Sequence, residues 1–117
     1  MDLKVARTHI AELLSQCDGI PKRAIVSIRE DAPNQTTVLH CDWILEKPKP
    51  SAKKSKLITL QLTSLATQMF LDADEAMLLT LDKNLQSIVR NCMQKGYRET
   101  DSQNGPFIIS IDDVDLD

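Results

Sequence analysis

The chain has 117 residues, of which 42% are apolar and 26% charged, and its formal net charge is -3. This composition excludes a disordered chain, and the length suits one hydrophobic core, so we expect a single domain over residues 1–117. The negative net charge disfavours general attraction to nucleic acid or to anionic lipid, because both need an excess of lysine and arginine.

The first part of the chain predicts a helix followed by two strands. From Leu3 onward, apolar residues recur every three or four positions, with Asp2 placed to cap the helix and Gly19 placed to end it. Residues 23–30 alternate between apolar and mixed positions, and residues 38–45 do the same after a turn-forming cluster. Both segments are therefore predicted strands.

The second part predicts a third strand, two helices and a last strand. Residues 57–62 alternate, Thr63 can cap a short helix, and Asp74 can cap a longer one that runs to Gly96. Residues 107–111 are the last strand. The order α-β-β-β-α-α-β predicts a two-layer α+β fold, with a mostly antiparallel four-stranded sheet and helices packed on one face. We expect solvent on the other face, at Ser27, Arg29, His40, Asp42, Thr59, Gln61 and Ser110.

Residues 47–56 contain two prolines and no acidic residue, which predicts an exposed basic loop. Lysine side chains can contact phosphates, so this loop is a candidate site for weak nucleic-acid binding. The candidate lysines are Lys47, Lys49, Lys53, Lys54 and Lys56.

The run His40-Cys41-Asp42 brings three possible metal ligands together in sequence. Neighbouring strand residues point to opposite faces, so His40 and Asp42 are predicted on the solvent face and Cys41 in the core. His40 and Asp42, with Arg29 across the strands, form a candidate binding site. No metal ligands, cofactor or catalytic residues are predicted.

Three widely spaced cysteines form neither a disulfide framework nor a zinc pattern, and this favours a reducing compartment. The sequence shows no leader segment and no apolar run long enough to span a membrane, so we predict a cytoplasmic protein without membrane contact. The acidic residues of 112–117 are interpreted as a frayed, solubilising tail that could also dock on a basic partner.

Three hypotheses about function follow. The first is a small non-enzymatic cytoplasmic interaction or regulatory domain that binds another protein. The alternative is a weak nucleic-acid binder that uses the loop 47–56. The third is an enzyme that uses the polar face of the second strand. The sequence leaves oligomeric state and the shape of the open sheet face undecided.

Overall fold

A sheet and a layer of helices form the body of the chain in the computed structural model. The model describes residues 1–50 and 52–117, with the backbone alone for Lys49 and Ala52. A short 3₁₀ turn, Ser102–Asn104, precedes the last strand. The helices and strands, in chain order, are α1 (Leu3–Ser15), β1 (Ile25–Ile28), β2 (Thr37–Asp42), β3 (Ile44–Lys49), β4 (Ala52–Lys54), β5 (Ile58–Leu62), α2 (Ser64–Asp72), α3 (Glu75–Gly96), β6 (Phe107–Ile111) and α4 (Asp113–Leu116).

The predicted α+β fold is confirmed. Strands β1, β2, β5 and β6 form the main sheet in that order, and the β1–β2 and β2–β5 pairs are antiparallel. The β5–β6 pair is parallel, because α2 and α3 carry the chain back across the sheet before β6 begins. The sheet is therefore mixed, with two antiparallel pairings and one parallel pairing.

Side-chain caps begin the three longer helices at the predicted residues. Asp2 accepts a hydrogen bond from the backbone N–H of Val5, Thr63 from that of Ala66, and Asp74 from that of Met77. The core lies between these helices and one face of the sheet. It includes the fully buried side chains Ile10, Leu14, Leu39, Leu60, Phe70 and Leu85.

The prediction of a loop at residues 47–56 is wrong, although Lys47, Lys53 and Lys54 are exposed as predicted and Ser51 lies outside the described residues. Strands β3 and β4 pair antiparallel as a separate two-stranded sheet, and Lys56 is buried, with 8% of its surface exposed. The chain tolerates Pro48 within β3 because each strand of a two-stranded ribbon has a free edge that needs no N–H donor. The prolines therefore did not prevent strand pairing.

The predicted strand 38–45 is divided at Trp43. The backbone N–H of Trp43 donates to Ser55 Oγ at 3.0 Å, and its carbonyl accepts from the N–H of Ser55 at 2.8 Å. Trp43 thus pairs with the segment that follows β4 and leaves the main sheet. The predicted inward face of this segment is confirmed, because all four of its residues are buried: Leu39, Cys41, Trp43 and Leu45.

Residues 112–117 are not the frayed tail that the sequence predicts, because they include a short helix, α4. Asp112 and Asp115 form a capping box that starts α4, and Leu116 is 1% exposed. The Asn84 side chain donates to the Leu116 carbonyl at 2.8 Å and so ties α4 to α3. The buried Leu116 and this hydrogen bond both hold the acidic segment against the helical layer.

Arg7 holds the connection between β1 and β2. Its side chain is buried, with 7% of the residue exposed, and its guanidinium donates to the backbone carbonyls of Thr36, Ala32 and Glu30. The shortest of these hydrogen bonds, to Thr36, is 2.6 Å long. The guanidinium of Arg7 on α1 therefore satisfies backbone carbonyls of a turn that lies about 25 residues away in sequence.

Candidate binding surfaces

The face of the main sheet that points away from the helices is a mixed apolar and polar surface, which we call the open face. Across the four strands the register places Ser27, His40, Thr59 and Ile108 in one row. Ile25 and Ile108 are 66% and 54% exposed. The open face comprises Ile25, Ser27, Val38, His40, Asp42, Thr59, Gln61, Ile108 and Ser110.

One predicted member of this face is buried. Thr59 has only 5% of its surface exposed, although it points away from the helices. It lies in the middle of its row, with His40 on one side and Ile108 on the other, and His40 Nδ1 is 3.4 Å from its hydroxyl. The side chains of its neighbours therefore shield it from solvent.

The candidate residues on β1 and β2 do not form one cluster. His40 and Asp42 share the open face and are both half-buried, as their spacing predicts. Arg29 lies opposite Val38, and its guanidinium pairs with Asp31 at 3.2 Å. Ser27 is the residue opposite His40. Arg29 is thus separate from the other two.

The cavity that Asp42 lines does not bring it together with His40. Asp42 lines a small cavity of about 210 Å³ with residues of the hairpin root, and His40 is not part of its lining. A larger groove of about 600 Å³ lies at the other end of the open face, lined by Val38, Gln61 and Ser110 among others. The open face is therefore concave at the end where β6 leaves the sheet.

The second candidate surface is the β3–β4 hairpin, residues 44–54, which we call the basic arm. Lys47, Lys53 and Lys54 are exposed on it, and Lys49 is the last residue of β3. The two strands pack mainly against each other, so the arm is an extension of the body. Lys56 is excluded from this surface, because its Nζ donates to the Asp101 backbone carbonyl at 3.2 Å.

A cluster of aromatic residues anchors the segments on either side of the arm. The ring centroids of Trp43 and Tyr97 are 5.8 Å apart, and those of Tyr97 and Phe107 are 5.5 Å apart. Trp43 Nε1 donates to Glu99 at 2.9 Å, and the Tyr97 hydroxyl donates to the Lys56 carbonyl at 2.7 Å. Sequence reasoning missed this cluster, because its members come from distant segments without a shared period.

The basic arm and the acidic α4 lie at opposite ends of the main sheet. The arm connects the end of β2 to the start of β5, whereas α4 follows the end of β6, which runs parallel to β5. Positive charge is therefore concentrated at the end of the sheet that carries the arm, and negative charge at the end that carries α4. A hydrogen bond from the Thr63 hydroxyl lowers the pKa of Asp112 at the acidic end, which favours its charged form.

Cys41 lies in the core, as the sequence predicts. Cys17 and Cys41 are buried, and Cys92 is half-buried. Burial raises the pKa of the Cys41 thiol to about 12 and that of Cys17 to about 11, with smaller effects from the neighbouring aspartates. Both thiols are protonated near neutral pH and are poor nucleophiles.

Within residues 1–50 and 52–117, no three side chains of the metal-binding types come close enough to form a metal site. Among the helices of these residues, none combines the length and the apolar character that a bilayer crossing needs. Comparisons with protein-family models, with curated proteins and with solved structures find no match to this chain.

Proposed function

We propose that this chain is a non-enzymatic cytoplasmic interaction domain that docks a partner protein on its open face. The observation that carries the proposal is the exposure of Ile25 and Ile108 on a sheet face that the helical layer leaves uncovered. Parallel strand pairs are normally covered on both faces, and here the β5–β6 pair presents Ile108 to solvent. A partner would complete this second layer.

The polar residues of the open face supply the hydrogen-bonding groups that a docking surface needs in addition to apolar area. His40 and Asp42 lie on β2, between the strands of the exposed isoleucines, and Gln61 lies in the next row beyond Ile108; all three offer hydrogen-bonding groups at fixed strand spacings. The groove lined by Gln61 and Ser110 gives the face a concave end that could receive a projecting side chain. This arrangement favours a partner protein whose surface combines apolar side chains with hydrogen-bonding groups.

The edge of β6 adds a second mode of contact. The backbone N–H of Phe107 donates to the carbonyl of Leu57, the residue before β5, so by strand alternation the N–H and C=O groups of Ile108 and Ser110 point away from the sheet. Such groups can pair with an extended segment of a partner. The four strands project an area of about 300 Å², well under the roughly 800 Å² per partner of a standard interface, so we expect a transient complex.

The test compares two double variants with the same added charge. Ile25→Glu/Ile108→Glu changes the open face, and Leu65→Glu/Leu79→Glu changes exposed leucines on α2 and α3. Crosslinking and affinity capture from native extract should recover a partner with the parent chain and with the helix variant, and lose it with the open-face variant. Circular dichroism and thermal unfolding establish that both variants are folded.

Two results would contradict the proposal. One is a partner that the open-face variant retains as well as the parent chain does. The other is the absence of any partner together with turnover of a substrate in activity profiling, which would favour the enzyme hypothesis that involves His40 and Asp42.

A further inference from the structure

The basic arm is a two-stranded ribbon whose root is fixed to the body of the chain. At the root, Arg23 Nε donates to the Ile44 carbonyl at 2.8 Å, and Leu45 is 4% exposed. The Trp43–Ser55 pair closes the root on the other side. Beyond it, β3 and β4 contact mainly each other. Neighbouring residues of a strand point to opposite faces, so Lys53 and Lys54 lie on opposite faces of the ribbon.

The charge of the arm is strongly positive along its length. Lys47, Lys53 and Lys54 are exposed, and Glu46, the single acidic residue of the arm, faces Arg23 with 3.4 Å between Oε1 and the guanidinium NH1. The acidic α4 is at the opposite end of the sheet. A net charge of -3 for the whole chain thus coexists with a basic end that a polyanion can approach.

The residues of the arm disfavour a protein strand as its ligand. Pro48 and Pro50 have no backbone N–H, and exposed lysine and proline are the residues that prevent strand addition at ribbon edges. Single-stranded nucleic acid is disfavoured as well, because it is bound by stacking on aromatic rings and residues 44–54 contain none. The aromatic residue next to the arm, Trp43, is 2% exposed.

We propose that the basic arm binds duplex DNA, with the β3–β4 ribbon lying in the major groove and its lysines contacting phosphates on either side. The major groove of B-form DNA accepts a two-stranded ribbon, whereas that of A-form RNA is too narrow. Lysine contacts to phosphate carry no sequence information, so the binding is independent of sequence. This site uses none of the residues of the open face, although Lys54 lines the same small cavity as Ile25 and Asp42.

The number of exposed lysines sets the expected salt dependence. Each phosphate contact contributes about -0.9 to the slope of log K against log salt concentration, so three contacts predict a slope of about -3. Three phosphate contacts also predict weak binding to DNA, so the affinity must be measured at low salt concentration. A fourfold rise in salt should weaken binding by about 40-fold or more.

The experiment measures the fluorescence anisotropy of a labelled DNA duplex against protein concentration over a series of salt concentrations. The arm variant is Lys47→Gln/Lys53→Gln/Lys54→Gln. The control is Lys4→Gln/Lys83→Gln/Arg90→Gln, which removes three exposed positive charges from the helical layer and leaves the same net charge. We expect the arm variant to lose at least about tenfold in affinity at low salt and nearly all of its salt slope. The control should keep both.

Competition identifies the ligand class. Unlabelled duplex DNA should displace the probe better than single-stranded DNA, duplex RNA or poly-glutamate does. Equal or better displacement by any of these three would overturn the assignment to duplex DNA. An equal loss in the control variant, salt-independent binding or no binding at low salt would overturn the role of the arm. The single variant Ile108→Glu changes the open face and leaves unchanged the cavity that Lys54 lines with Ile25 and Asp42, so failure of one proposal leaves the other standing.

Discussion

The clamp formed by Arg7 gives the sharpest test of how this fold is held together. We consider the substitution Arg7→Met, which keeps a long apolar stem within the buried site and removes the guanidinium. In the parent chain this group donates to three backbone carbonyls of the β1–β2 connection. After the substitution those carbonyls lose their partner, and the connection loses its link to α1.

The size of the effect follows from the geometry. A hydrogen bond to a charged group is worth about 1.5–3 kcal/mol, and the 2.6 Å bond to Thr36 is the strongest of the set. The others, at 3.2 to 3.3 Å, are longer, and the carbonyls of this turn can rotate toward water once they are released. We therefore expect the free energy of unfolding to fall by about 2–4 kcal/mol, less than the sum of separate bonds.

Urea unfolding followed by circular dichroism measures this change, with Arg29→Met as the control. Arg29 has 58% of its side chain exposed and pairs with Asp31 at the surface, so its loss should cost less than about 0.5 kcal/mol. Hydrogen exchange in the Arg7→Met variant should become faster in the connection between β1 and β2. If the two variants lose the same stability, or if Arg7→Met loses under about 0.5 kcal/mol, the clamp does not stabilise the fold.

Three further effects are expected. Thr37→Val leaves the buried hydroxyl of Thr67 without its 2.9 Å partner and should lower the free energy of unfolding by about 1–3 kcal/mol, as measured by urea unfolding. If the double variant Thr37→Val/Thr67→Val costs the sum of the two single changes, the two hydroxyls are not paired. Gly19→Ala should cost about 1 kcal/mol, because Gly19 has a φ of 91° while an added Cβ would meet only Met93 Cε at 3.9 Å; an unchanged melting temperature would refute the strain. The Cys41 thiol has a pKa of about 12 in the fold against 9.0 ordinarily, so the unfolded chain loses this proton first and stability should decline as pH rises above 9, by up to about 1.4 kcal/mol per unit. Unfolding at several alkaline pH values should show a shallower decline for Cys41→Ala, and an identical slope would exclude this thiol as the cause.

Sequence reasoning identified the candidate lysines of the arm but assigned them the wrong structure. Proline and lysine at residues 47–56 are typical of an exposed loop, and the apolar period breaks there. The ribbon forms because β3 and β4 need only each other, and the burial of Lys56 depends on Asp101, which is 45 residues away in sequence. The partners of a strand or of a buried lysine are set by the fold, and no local pattern contains them.

The open face was predicted more closely. Alternation along β1 and β2 placed Ser27, His40 and Asp42 away from the helices, because a strand fixes the side of each residue locally. The burial of Thr59 and the separation of Arg29 from His40 depend on which strands are neighbours and in what register. Register is a property of strand pairs, so a single strand cannot reveal it.

Local sequence patterns were sufficient to predict α1, α2 and α3, their caps and the inward faces of the strands, but not α4. Asp2, Thr63 and Asp74 act within three residues of their own positions, and apolar periodicity is a property of each segment alone. Local patterns do not contain the parallel addition of β6, the Arg7 clamp, the aromatic anchor of the arm or the position of the basic arm opposite α4. Each of these joins segments that are distant in sequence, and their contacts form only when the whole chain has folded.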